Sequence, residues 1–126
     1  MAVSPDYRAF VLEQLARVAP EIRARSMFGG LGIYSRDLFF ALVDDDVLYF
    51  KVDDTNRGDY EERGLGPFRP FGEGGEVMQY YEVPPDLIED ADALAPWVEK
   101  AIAVAASKRR KSGRAAGSKR KGPPRR

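Results

Sequence analysis

The chain of 126 residues contains neither cysteine nor histidine. Without thiols there is no disulfide, no thiolate metal centre and no cysteine nucleophile. Without imidazole the commonest general base and transition-metal ligand is absent, and with it the Ser-His-Asp, Cys-His and zinc-protease schemes. No stretch approaches the roughly 18 uncharged residues of a membrane span. The opening MAVSPDYRAF lacks the basic region and apolar run of a signal peptide. The expectation is a cytoplasmic, non-enzymatic protein with no catalytic residue, no cofactor, no metal and no membrane contact.

Charge is present in quantity, but its signs are segregated. Lys and Arg number 20, as do Asp and Glu, giving a net charge of zero. Residues 107–126, SKRRKSGRAAGSKRKGPPRR, hold ten of the cations and no acid, so the body, 1–106, stands near −10 and the tail near +10. Lys108, Arg109, Arg110, Lys111 and Arg114 fill the first half of the tail; Lys119, Arg120, Lys121, Arg125 and Arg126 fill the second. Such a run condenses on phosphate backbones without reading bases. The tail is therefore expected to make nonspecific contacts with DNA or RNA. A solubilising extension and a tail folded back on its acidic body are the other readings. Lacking apolar periodicity, the tail is expected to be disordered in isolation.

Within the body, Ser4-Pro5-Asp6 opens a helix: a hydroxyl cap, a proline at the first position and an acid facing the dipole. Tyr7, Phe10, Val11, Leu15 and Val18 form its apolar stripe over about 5–18. Short apolar runs then alternate with turn residues, which predicts strands near 22–27, 31–35, 38–43 and 47–52. In VLYFKV, Leu48, Phe50 and Val52 point one way and Val47, Tyr49 and Lys51 the other. Asp53-Asp54-Thr55 supplies caps for a short helix over 55–63, ended by Gly64; Gly64 to Gly75 reads as loop, and EVMQYYEV, 76–83, as a last strand. A final helix carries Leu94, Trp97, Val98, Ala101, Ile102 and Ala105, with Pro96 expected within about its first turn and the start of the helix left open by the pattern. The order α-β-β-β-β-α-β-α predicts an α+β domain, an antiparallel sheet of about five strands with helices packed on it.

Three features invite a chemical reading. MFGGLGIY, 27–34, has three glycines, but its spacing fits no phosphate-binding loop and it leads into a strand, not a helix. Gly29 and Gly30 are read as a positive-φ turn or bulge, and Gly32 as a point of close backbone approach. Asp44-Asp45-Asp46 and Asp53-Asp54 are read as turn and cap residues, since neither has the alternating pattern of a calcium loop. Tyr34, Phe39 or Phe40, Tyr49, Lys51, Met78, Tyr80 and Tyr81 interleave aromatics with a cation on the sheet. A stacking platform for single-stranded nucleic acid is one reading; a helix-covered core on one face and a protein or homodimer contact on the other is preferred. Tyr34, Tyr49, Lys51 and Tyr80 are the candidate protein-contact residues.

RSMFGGLGIY, LFFALVDDDVLYFKVDD, GLGPF and MQYYEVPPDLIEDADALAPWVEKAIAVA follow one another in an order and spacing that resembles the TfoX/Sxy N-terminal domain over about residues 7–105. Its markers here are Met27-Phe28-Gly29-Gly30, Leu48-Tyr49-Phe50-Lys51, Gly66-Pro67-Phe68, Tyr81 before Val83-Pro84, and Leu94 with Trp97. The resemblance implies a small α+β domain from bacterial regulators of competence for DNA uptake, acting on transcription with another DNA-binding regulator. It brings no catalytic residue. Longer family members carry a helical C-terminal domain; here a basic tail stands in that place, so a stand-alone N-terminal domain is expected. The alternative is a protein-binding or self-associating domain with no physiological role in nucleic-acid binding.

Overall fold

Four strands joined by tight turns and a fifth added at the edge make one antiparallel sheet in the order β1-β2-β3-β4-β5. The structure, a computed structural model, describes residues 3–27, 29–68 and 79–121, with side chains as far as Lys108. Its elements are α1 (Pro5–Val18), β1 (Ile22–Met27), β2 (Gly30–Ser35), β3 (Leu38–Asp44), β4 (Val47–Lys51), α2 (Arg57–Glu61), β5 (Tyr80–Glu82), α3 (Pro85–Ile88) and α4 (Ala91–Lys121). This is the expected α+β architecture with one additional short helix, α3. Pro85 opens that helix at the first position, where its missing N–H costs nothing.

The turns explain the polar clusters. Asp45 and Asp46 both have positive φ, 53° and 58°. A two-residue hairpin of this kind needs two left-handed residues, and aspartate tolerates that conformation better than most side chains. Gly29, with φ 77°, serves the first turn. The close approach falls at Gly30 instead of Gly32: a Cβ on Gly30 would lie 2.3 Å from the Val43 carbonyl oxygen, whereas at Gly32 it would meet the Met27 thioether end and the Phe39 ring edge. The bulge, too, lies elsewhere, opposite Ile33 and Tyr34, where Phe40 is the extra residue of β3.

The Asp53-Asp54-Thr55 cap is likewise corrected. The Asp53 carboxylate accepts from the Thr55 N–H and hydroxyl, forming a local turn. The cap position of α2 is Asn56, which makes no side-chain cap bond. Its buried amide accepts from the Asp53 N–H at 2.9 Å and donates to the Lys51 carbonyl at 3.2 Å, tying the end of β4 to the following turn.

The start of α4, which the pattern leaves open, is fixed by the Asp90 carboxylate, which accepts the Ala93 N–H. Pro96 therefore sits in the second turn, exposed, where water can satisfy the carbonyl deprived of its donor. The expected strand 76–83 is described only as Tyr80–Glu82, extended by bonds from Val52 N–H to the Gln79 carbonyl and from Val83 N–H to the Leu48 carbonyl. Met78, most of the expected 64–75 loop and Phe28 lie outside the described residues.

All helices seal one face of the sheet. Val11 and Leu15 of α1, Tyr60 of α2, Leu87 and Ile88 of α3, and Leu94, Val98 and Ala101 of α4 join Ile33, Phe40, Val43, Leu48, Phe50 and Val52 in a single core. Phe10, expected in the α1 stripe, is instead 38% exposed. Past Ala105 the backbone of α4 runs on helically to Lys121, across the expected boundary at 106. No apolar periodicity accompanies it there. Its helical geometry in that stretch extends a helix already nucleated on the core, a cheaper step than starting one.

Candidate protein-interaction face

Strand alternation decides what the other face displays. Cross-strand partners share a face, and Tyr34 pairs with Phe39, Leu42 with Tyr49, Tyr49 with Glu82, and Lys51 with Tyr80. The bulge at Phe40 resolves the Phe39 or Phe40 alternative by using both. Phe40 turns into the core beside Ala41, both fully buried, and meets Phe50 at a ring-centroid distance of 5.9 Å. Phe39 goes to the outer face. Tyr81 also belongs to the core, packed 5.7 Å from Tyr60.

The outer face thus collects all four candidate contact residues. The Tyr34 and Phe39 rings stack at 5.1 Å, Phe39 and Tyr80 meet at 5.7 Å, and Tyr49 packs on Phe68 at 4.6 Å. The Lys51 ammonium lies 5.4 Å from the centre of the Phe39 ring and 5.6 Å from that of Tyr80, within cation–π range of both. Met27 covers Gly32, beside Phe39. In the sequence Phe68 and Met27 stand out only as family markers, and Phe39 is not distinguishable from Phe40, because strict alternation hides the bulge.

The electrostatics follow from this packing. Burial and then the positive charge of Lys108 push the Lys51 amine below its ordinary value. Lys108, the first cation of the basic segment, is therefore close enough to act on the aromatic face. Tyr80 is pushed up, chiefly by burial and secondarily by Tyr34; it is only 7% exposed. Tyr49 is pushed up by burial and then by Glu82, Asp44 and Asp45. The face is semi-dry and aromatic, with cations at the Lys51 end and carboxylates at the Glu82 end. That suits recognition of another surface. Of the tail residues, Lys108 is exposed at the end of the packed part of α4. Arg109, Arg110, Lys111, Arg114, Lys119, Arg120 and Lys121 follow on its helical backbone, and Arg125 and Arg126 lie outside the described residues.

The family model of the TfoX N-terminal domain matches residues 13–105. The chain belongs to the TfoX N-terminal domain family. The match runs from the middle of α1 through the packed part of α4, so it takes in the whole sheet, both of its faces and every marker from Met27 to Trp97. The basic segment lies beyond the matched range of the TfoX N-terminal domain. No curated protein matches the chain. Among the described residues, no helix is long and apolar enough to cross a membrane.

Proposed function

We propose that this TfoX N-terminal domain is a non-enzymatic regulatory and interaction module in the bacterial cytoplasm. Its outer sheet face contacts protein, and its basic segment makes sequence-independent contacts with nucleic-acid phosphates. The observation that carries the reading is the gathering of Tyr34, Tyr49, Lys51 and Tyr80 on the face that carries none of the helix-packed core. Aromatics anchor protein interfaces because they bury much area at little entropic cost. Membership in the family supports a regulatory role, and its link to competence makes a transcription regulator of DNA uptake the proposed partner. The ten cations of residues 107–126 support the phosphate contacts.

Two arms test the reading. Affinity capture with the full chain from its source organism is compared with capture by Tyr49→Ala/Lys51→Glu. The variant keeps its circular dichroism spectrum and loses the partner; retention of the partner by the folded variant contradicts the protein-contact reading. Separately, DNA binding by the full chain falls with salt, log K against log salt having a slope of about −0.9 for each phosphate neutralised. An affinity that ignores salt, or that survives reversal of the tail charges, contradicts the phosphate reading.

A further inference from the structure

At the end of the sheet away from Lys51, a groove of about 190 Å³ opens between α1, β4, β5 and α3. Val47, Leu48, Val83 and Ile88 make its floor with the Tyr7 ring. Phe10, the exposed large hydrophobic side chain of the described residues, stands at its edge. Among the described residues, Asp46, Glu82 and Glu89 line the groove and no cation does. One Asp46 oxygen accepts the Ser4 N–H at 2.8 Å. Among the described residues, Glu82 and Glu89 form no ion pair. The Tyr7 hydroxyl is pushed up to about 12 by burial, then by Asp46, with Glu82 adding to it.

An apolar floor under a carboxylate rim fits a side chain with an aliphatic stem and a cationic head, the shape shared by lysine and arginine. The chain carries a dense supply of them, and its topology carries that supply away from the groove. α4 begins two residues after Glu89 and crosses the sheet. At 1.5 Å per residue, Lys108 lies about 26 Å along the helix from Ala91, and Lys121 about 45 Å. Eight cations fall between residues 108 and 121. One end of the molecule is an acidic groove and the other a basic helix pointing away from it.

We propose that the groove receives the basic segment of a second copy of the chain, head to tail. The contact is heterologous, so it adds protomers head to tail, into an open chain or a ring according to the rotation between neighbours. Because nucleic acid takes up the same cations, phosphate binding and self-association exclude one another.

Sedimentation of the nuclease-treated full chain over a concentration series tests this. At low salt the weight-average mass rises with concentration, and at high salt it returns to that of the monomer. Glu89→Lys abolishes the rise, as does Arg109→Glu/Arg110→Glu/Lys111→Glu/Arg114→Glu, each variant keeping its circular dichroism spectrum. Mixing the two variants restores association, because each supplies the half that complements the other. Tyr49→Ala leaves it intact, which separates this contact from the sheet face. A monomer at every concentration, an association that survives either charge reversal, or a mixture that stays apart overturns the proposal.

Discussion

The two faces of the sheet differ by one residue of register and by almost everything else. β4 sends Leu48 and Phe50 to one side, where helices bury them completely, and Tyr49 and Lys51 to the other, where each stays half-buried against neighbouring rings. Both faces are rich in apolar surface, so hydrophobicity does not separate them. Along β4 the difference lies in chemistry: an aliphatic and a phenyl group, Leu48 and Phe50, on the sealed side, and a phenol and an ammonium, Tyr49 and Lys51, on the other. A hydroxyl or ammonium at the tip of an apolar body tolerates alternating contact with water and a partner. The sealed face maintains the fold, and the outer face is the one proposed for association.

The strongest way to break the comparison is to truncate one residue on each side. Phe50→Ala costs about 3–5 kcal/mol, as cavities left by buried aromatics do. Tyr49→Ala costs about 1 kcal/mol or less, the scale of a cross-strand pair. Urea unfolding measures both, and equal losses would erase the distinction.

The glycines of the 27–34 stretch sharpen it further. Gly30→Ala drives a Cβ against the backbone oxygen of Val43 and costs about 1–3 kcal/mol in unfolding experiments. Gly32→Ala displaces the flexible end of Met27 and shifts the Phe39 ring, so it perturbs the outer face while costing less stability than Gly30→Ala. Partner capture falls for Gly32→Ala before the melting temperature does.

The smallest effects appear in alkali. Tyr7 has its pKa raised from 10.0 to about 12. Its contribution to stability is full below pH 10 and is lost as pH climbs toward 12. Tyr60 in the core and Tyr80 on the outer face are raised by burial and act in the same direction. Lys51 acts oppositely: its folded value lies below 10.5, so its contribution is present above 10.5 and lost as pH falls through the lowered value. Lys51→Met keeps the stem packing and removes that opposing trend, so unfolding free energy declines more steeply with pH just below 10.5 than in the parent chain. Tyrosinate absorbance and urea midpoints across pH 9 to 12.5 follow both changes.

Much of this was legible in the sequence because local and global signals agreed. The Ser4-Pro5-Asp6 cap, the aspartate turn and the alternation of VLYFKV each had one physical reading, and the structure keeps them. What escaped was set by tertiary context. A single bulged residue, Phe40, decides which phenylalanine faces outward. Phe10 leaves the core because the neighbouring elements stop short of it and form a groove there. The initiation of α4 at Asp90 was masked by the stronger local signal of Pro96. Of the candidate site, Tyr34, Tyr49, Lys51 and Tyr80 followed from alternation. Phe39, Phe68 and the acidic groove depend on contacts between segments distant in sequence.

The most direct test of the division between the faces is photo-crosslinking in cells of the source organism, with a photoreactive phenylalanine analogue placed either at Tyr49 or at Ala103, exposed on α4. The account predicts protein adducts from position 49 and none from position 103. Adducts from position 103 alone, or in equal yield from both, would contradict it.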